Sequence, residues 1–167
     1  MFYCIYRKET DPYFNLAAEE YMLREFPYDA FMVWRNDKSV IIGKHQNASR
    51  EINHAYCTEH SLPVIRRITG GGTVYHDQGN INFSFITTGE PGKLVDFNKF
   101  TAPVIDFLES LGLNAQFEGK NNIRVNGAKV SGNAAHVYKN RVIHHGTLLY
   151  NANLEALQNS IAGNEAS

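Results

Sequence analysis

Arg66-Arg67-Ile68-Thr69-Gly70-Gly71-Gly72-Thr73-Val74-Tyr75-His76-Asp77-Gln78-Gly79-Asn80-Ile81-Asn82-Phe83-Ser84-Phe85 concentrates more special residues than any other stretch of this 167-residue chain. Two adjacent arginines leave the apolar run Pro63-Val64-Ile65, a threonine and three glycines follow, and a second β-type run begins at Thr73. Consecutive glycines permit positive φ and let a ligand come close to bare backbone N–H groups, so Gly70 to Gly72 can form an anion-binding nest. Arg66 or Arg67 can add bidentate contacts to a phosphate or carboxylate. On the loop alone a hairpin turn with two solvated arginines is the favoured reading. The His76-Asp77 pair and the Gly79-Asn80-Ile81-Asn82 run beside it favour a site.

Upstream of this stretch, Phe2 to Tyr6 reads as a strand and Asp11-Pro12 as a turn. Asn15 is placed to cap a helix from Leu16 to about Phe26, with Leu16, Ala17, Met22 and Leu23 inward and Glu19, Glu20 and Arg24 on the polar side. Ala30 to Trp34 and Ser39 to Ile42 are β-rich runs joined through Asn36-Asp37, the pattern of a hairpin. Gly43-Lys44-His45-Gln46-Asn47 is a polar loop. Ser49 then caps a second helix that buries Ile52, Ala55 and Tyr56, and Leu62 to Arg67 is a strand entering the glycine loop.

Downstream, Val74-Tyr75 and Ile81 to Thr87 continue as strands. Gly89-Glu90-Pro91-Gly92-Lys93 lacks the first glycine and the final hydroxyl of a P-loop and is rejected as one. Phe97, Phe100, Val104, Phe107, Leu108 and Leu111 trace a helical face that Gly112 ends, with Pro103 predicting a kink or a start nearer Thr101. Asn126-Gly127 joins two strands as a hairpin, and alternation puts Lys129 on the face opposite Ala128 and Val130. Asn133 to Tyr138 and Arg141 to Tyr150 make a further antiparallel pair. Asn153 caps a last helix carrying Leu154, Leu157 and Ile161, with Gly163 as its stop. Runs of strands with interspersed helices predict a single α+β domain on a mixed, largely antiparallel sheet.

A chain of this length can bury a core without staples. A hydrophobic content of 43%, a charged content of 20% and a net charge of -1 supply no field that would draw the chain to nucleic acid or an anionic membrane. Cys4 and Cys57 have no metal or redox spacing and sit in apolar surroundings, which predicts buried thiols in a reducing compartment. The start lacks a signal-peptide pattern, and no apolar stretch approaches the roughly 20 residues of a membrane span. A cytoplasmic protein is expected.

The notable positive charge is placed at turns: Arg66-Arg67 beside the glycine loop, and Lys129 within Gly127-Ala128-Lys129-Val130-Ser131-Gly132. The bracketing glycines leave room for a ligand beside Lys129, although on spacing alone an exposed hairpin lysine is usually a solvated charge. A site that joins a carboxylate to a phosphate needs such cations, because two anions about 4 Å apart repel by about 4 kcal/mol at an effective dielectric of 20. His76, His144 and His145 have no acidic or cysteine partner at ligand spacing, which argues against zinc. His144 and His145 lie on one strand and face opposite ways.

In these residues the chain resembles the lipoate-protein ligase A family. The resemblance is carried by Arg66-Arg67-x-Thr69-Gly70-Gly71-Gly72-Thr73-Val74-Tyr75-His76-Asp77 with Gly79-Asn80-x-Asn82, by Gly127-x-Lys129-Val130-Ser131-Gly132, and by His144-His145-Gly146-Thr147-Leu148-Leu149. Phe14-Asn15-Leu16-Ala17-x-Glu19-Glu20 and Trp34-Arg35-Asn36 match as well. The resemblance implies the fold shared by biotin and lipoate ligases and class II aminoacyl-tRNA synthetases. It implies that lipoate and ATP, with Mg2+, give lipoyl-AMP, and that the lipoyl group passes to a lysine of an acceptor domain. That domain would belong to the E2 subunit of a 2-oxoacid dehydrogenase or to glycine cleavage H protein.

The same resemblance makes Lys129 the central catalytic lysine, in contact with both the lipoyl carboxyl and the α-phosphate. It assigns the adenylate to Arg67, Gly70, Gly71, Gly72, Thr73, Val74, Tyr75, Asn122, Lys129 and Thr147, and lipoate to Trp34, Arg67, Thr69, Gly72, His76, Lys129, Ala134 and His145. Burying four methylenes of a lipoyl tail is worth roughly 3 kcal/mol at about 0.8 kcal/mol each, so an apolar tunnel is expected, with water excluded from the mixed anhydride. The chain departs from the family where Asn121-Asn122 replaces Asn-Asp: Asn122 retains an oxygen for magnesium but no charge. It also stops at Ser167, so the domain at 1–167 is expected to be C-terminally incomplete relative to the family, without the accessory domain. Three rivals to the ligase follow: a transferase that takes ready-made lipoyl-AMP, an acyltransferase working through a cysteine thioester, and a non-catalytic lipoyl-binding module.

Overall fold

The structure, a computed structural model, describes residues 1–161. Its elements, in chain order, are β1 (Phe2–Tyr6), α1 (Pro12–Arg24), β2 (Asp29–Trp34), β3 (Ser39–Ile42), α2 (Ala48–Glu51), α3 (His54–Glu59), β4 (Val64–Arg66), β5 (Val74–His76), β6 (Asn80–Thr88), α4 (Phe97–Ser110), β7 (Ala115–Glu118), β8 (Asn122–Val125), β9 (Ala128–Tyr138), β10 (Arg141–Leu149) and α5 (Leu154–Ser160). Seven strands form one sheet in the order β1-β2-β6-β10-β9-β8-β7, and β4-β3-β5 form a smaller one. Only β1–β2 in the large sheet and β3–β4 in the small one are parallel, so the expected mixed, largely antiparallel α+β architecture is what forms.

Alternation along β6 divides the large sheet. Phe83 and Phe85 pack with Val104 and Leu108 of α4 on one face, while Ile86 packs with Met22 and Leu23 of α1, Met32 and Trp34 on the other. A third cluster, with Val40, Ile42, Cys57, Leu62 and Tyr75, lies between the small sheet and α3. Asn82 and Ser84 share the α1 face of β6 and, with Thr147 and His145 of β10, line or border the site.

Several local readings are corrected. Helix α1 begins at Pro12 because Asp11 is the cap, accepting from the amides of Tyr13 and Phe14 at 2.9 and 3.4 Å, with proline at the position that needs no donor. Asn15 is instead buried inside the helix, donating to Glu9 O, Arg35 O and Asn36 Oδ1. The segments at β2 and β3 are no hairpin, since they belong to different sheets. The expected second helix breaks into α2 and α3, capped by Asn47 and Asn53; Ala55 is exposed. Helix α4 runs through Pro103 from an Asp96 cap, and its Phe107 and Leu111 are exposed rather than buried. Asn153 caps α5 as expected; Gly163 lies outside the described residues. Cys57 is buried but Cys4 is exposed on the edge strand.

One buried cation ties the halves of the large sheet's α1 face together. Arg141 donates to the last-turn carbonyls of α1, Leu23 O at 3.1 Å and Met22 O at 3.0 Å, as well as to Tyr28 O and Thr88 Oγ1. These are carbonyls a helix end leaves unsatisfied. Arg141→Met is therefore expected to lower unfolding free energy by about 3 kcal/mol, read as a shift of the urea midpoint.

Candidate functional site

A cavity of about 350 Å³ opens between the two sheets. Its walls come from the glycine loop between β4 and β5, from residues of β2, β6, β8, β9 and β10 of the large sheet, from β3 and β5 of the small one, and from the helices α1 and α5.

The two adjacent arginines have different jobs. Arg66 is exposed, and its Nη1 donates to the carbonyls of Gly43, Lys44 and Gln46, which staples the 43–47 loop. Arg67 is buried and organises the glycine loop: Nε donates to Thr69 Oγ1 at 3.0 Å, and Nη2 to Gly70 O and Gly72 O at 2.8 and 2.7 Å. Nη1 reaches Ile41 O at 3.4 Å. Of the guanidinium's five N–H groups, one thus remains for a ligand. Because peptide units are planar and trans, turning the Gly70 and Gly72 carbonyls toward Arg67 turns the N–H groups of Gly71 and Thr73 away from it. Among the described residues, no protein acceptor takes the N–H of Gly71, Gly72 or Thr73. Gly71 has φ +97°, which only glycine adopts without strain. A side chain at Gly43 would collide with the Gly71 carbonyl, so the two loops meet backbone to backbone.

Lys129 reaches the cavity by an irregularity. Ile123 pairs with Ser131 but Arg124 with Lys129, leaving Val130 as an extra residue in β9. Such a bulge re-aims the flanking side chains. Val130 packs toward the α4 cluster, and Lys129 falls on the same face as Gly132, its Nζ at 3.5 Å from where a Cβ of residue 132 would lie. Strict alternation would have placed Lys129 on the opposite face from Gly132 and Ala134. Its ammonium lines the cavity and has no ion pair among the described residues.

Most of the remaining expected residues converge here. Trp34, Gly72, Thr73, Val74, Tyr75, His76, Asn122, Ala134, His145 and Thr147 line the cavity with Arg67, Gly71 and Lys129. Gly70 and Thr69 do not; both act behind the wall on Arg67. Sequence reasoning missed Glu19, which is 1% exposed rather than on the solvent side of α1, and the apolar end made by Leu149, Leu157 and Ile161. Leu149 could have been found from β10, where it shares a face with His145 and Thr147.

His76 is an oriented donor. The Asn36 amide nitrogen donates to Nδ1 at 3.0 Å, so the ring proton sits on Nε2 and faces Thr147 Oγ1 at 3.0 Å. Thr147 then donates to Asn82 Oδ1 at 2.8 Å. Burial, with His145 and Arg67 nearby, holds the His76 pKa down to about 3, and burial lowers His144, stacked on Phe100, to about 4. Below pH 6.5 the unfolded chain takes up protons that these two rings refuse. Stability is thus full above the ordinary histidine range and falls as pH drops from about 6.5 toward 3, by up to about 1.4 kcal/mol per pH unit for each ring. His76→Gln is expected to flatten that slope by about one proton, measured from urea midpoints at pH 7 and pH 5. Burial also pushes the Tyr75 phenol up to about 12, so it is a neutral part of the wall.

Asn122, the expected magnesium ligand, offers one neutral amide oxygen. Its neighbours Asn121 and Asn133 bond to each other's backbone, and among the described residues no group of three His, Cys, Asp or Glu could hold a metal. The carboxylate of Glu118, opposite Asn122 across β7–β8, is taken by Arg124, so with an ammonium beside it this neutral oxygen does not fit a resident magnesium site. Among the same residues no helix is long and apolar enough to cross a membrane.

This chain brings a glycine cradle, a buried guanidinium and the ammonium of Lys129 to one cleft. It is 48% identical over 159 residues to lipoate–protein ligase 1 of Staphylococcus aureus, covering 94% of this chain and 48% of that protein. The chain spans about half the length of the curated relatives it matches. Among solved structures it is similar to a bipartite archaeal lipoate protein ligase from Thermoplasma acidophilum, studied with its E2 lipoyl domain, with a TM-score of 0.89, 27% identity, and 99% of this chain and 67% of that one covered. It is likewise similar to a lipoate-protein ligase A bound with ATP, with a TM-score of 0.84, 26% identity, and 96% and 70% coverage. The family model described as the lipoyl protein ligase A/B catalytic domain matches residues 11–167, and the chain therefore belongs to that family.

Proposed function

We propose that the cavity activates lipoate with ATP and passes the lipoyl group to a lysine of an acceptor domain. The observation that carries this reading is the meeting of the Lys129 ammonium with the Arg67-held glycine loop across one cleft. In the first step a lipoate carboxylate oxygen attacks the α-phosphorus, the α–β phosphoanhydride bond breaks, and pyrophosphate leaves. In the second, the neutral amine of the acceptor lysine attacks the acyl carbon, the bond to AMP breaks, and the amine's surplus proton goes to solvent.

Lys129 is assigned to the carboxylate and α-phosphate oxygens, where a fixed cation offsets the mutual repulsion of two anions and the charge that develops in both steps. The free N–H groups of Gly71, Gly72 and Thr73 and the spare Arg67 N–H are assigned to the phosphate. The acyl tail is assigned to the wall of Trp34, Ala134 and His145. From Gly132 to Ala134 along β9 is about 6.6 Å at the strand rise, enough for most of a short methylene chain. The acceptor is proposed to be the lipoyl domain of a 2-oxoacid dehydrogenase E2 subunit or glycine cleavage H protein, in line with the E2 lipoyl domain named with the archaeal relative. The free thiols Cys4 and Cys57 suit a reducing compartment, and the cytoplasm is the proposed location.

The neutral amide of Asn122, with the carboxylate of its cross-strand partner Glu118 held by Arg124, favours one second reading, a transferase that accepts preformed lipoyl-AMP. A thioester mechanism is disfavoured, because Cys57 donates to Ser160 O inside another core cluster and neither cysteine lines the cavity. Incubating the protein and an acceptor domain with lipoate plus ATP, or with lipoyl-AMP, separates the readings. Lipoylated product from both mixtures supports the ligase, product from lipoyl-AMP alone the transferase, and product from neither overturns both.

A further inference from the structure

Glu19 is one of the most deeply buried charged side chains, at 1% exposure, and the chemistry above gives it no task. Its Oε2 accepts from Ser84 Oγ at 2.6 Å and faces His145 Nδ1 at 2.8 Å. Across the imidazole, His145 Nε2 lies 2.6 Å from Thr69 Oγ1. A carboxylate oxygen can only accept, so the contact at Nδ1 places the ring proton there and leaves Nε2 of the neutral ring to accept the hydroxyl proton of Thr69, whose oxygen also accepts from Arg67 Nε at 3.0 Å. His145 thus carries its proton on Nδ1, toward the carboxylate.

The bonds therefore run in one direction, from Arg67 to Thr69 to His145 to Glu19. Ser84 is committed in the same sense, because it accepts from Trp34 Nε1 at 2.9 Å and gives its proton to Glu19. The relay starts on α1, crosses β10 and ends at the guanidinium that holds Gly70 and Gly72.

We propose that Glu19 is a positioning residue: through His145 and Thr69 its carboxylate orients Arg67 and so holds the glycine loop in the form that receives a nucleotide. This rests on the reading of the cavity as an acyl-adenylate site. Charge matters as well as shape, because the carboxylate accepts from both Ser84 and His145, and charge-assisted bonds are roughly twice as strong as neutral ones. Both donors meet the same oxygen, so a glutamine can still accept from each, but only as a neutral amide, and its N–H2 is then buried where Oε1 has no partner.

The test uses the full chain, with ATP and octanoate as separate probes in calorimetric titrations, and ¹⁵N shifts of the His145 ring. Glu19→Gln is expected to weaken ATP binding by about tenfold, the scale of one lost charge-assisted bond, although residue 19 lies at the tail end of the cleft. Thr69→Val, which cuts the relay beyond the imidazole and leaves Glu19 in place, is expected to do the same. Wild type is expected to show the Nδ1–H tautomer of His145, and Glu19→Gln to lose its dominance. Thermal unfolding of both variants checks that the fold persists. Unchanged ATP affinity in both variants, or an Nε2–H ring in wild type, overturns the proposal. Wild type that binds neither ATP nor octanoate overturns the functional reading instead, and the tautomer then decides the relay by itself.

Discussion

Lys129→Ala is expected to remove lipoate-dependent pyrophosphate exchange, with a rate loss of about 10³-fold, while leaving thermal stability at the wild-type value. The side chain is exposed and has no ion pair among the described residues, so its removal creates neither a cavity nor an unpaired partner. What it removes is the cation at the point where carboxylate and phosphate must approach. Lys129→Arg is not expected to restore the rate, because a planar guanidinium on a longer stem cannot occupy the place of a compact ammonium lodged against Gly132. Full exchange in the alanine variant would refute the role assigned to this lysine.

Arg67→Ala is expected to act on fold and function together. Three acceptors, Gly70 O, Gly72 O and Thr69 Oγ1, lose their donor at once, and a buried acceptor left unmet costs about 1–3 kcal/mol. With partial relaxation the loss is about 4 kcal/mol, which for a chain of this size lowers Tm by about 8–16 °C at about 2–4 °C per kcal/mol. The loop's carbonyls are then free to turn into the cleft, and ATP affinity should fall by at least about 100-fold, the scale of 2.7 kcal/mol. Arg66→Ala is the matched control: it releases three carbonyls of an exposed loop and should cost much less of both. Equal effects from the two variants would contradict the division of labour between these neighbours.

That division was not legible in the sequence, where either arginine could have been the inward one. The α+β class and most strands were legible because alternation and turn chemistry are local signals. The β2–β3 hairpin was misread because Asn36-Asp37 has the composition of a turn, whereas Asn36 is fully buried between Asn15 and His76. Glu19 was assigned to solvent because helical periodicity sorts charged from apolar residues and knows nothing of a polar cleft facing the helix. Lys129 was found by composition, yet its direction depends on the bulge at Val130, which no pattern of side-chain types announces. The cleft itself is a long-range property, assembled from residues as distant as Glu19 and His145.

The cradle hangs on the three-stranded sheet and the lysine on the seven-stranded one, and the side-chain contacts that span the gap beside them include Thr69 to His145, His76 to Thr147 and Asn80 to Tyr75 O. Spacing between the two reactive halves is consequently adjustable without severing any rung of either ladder. Retuning the proposed site for a longer or bulkier acyl chain calls for changes at those rivets, not for a new framework.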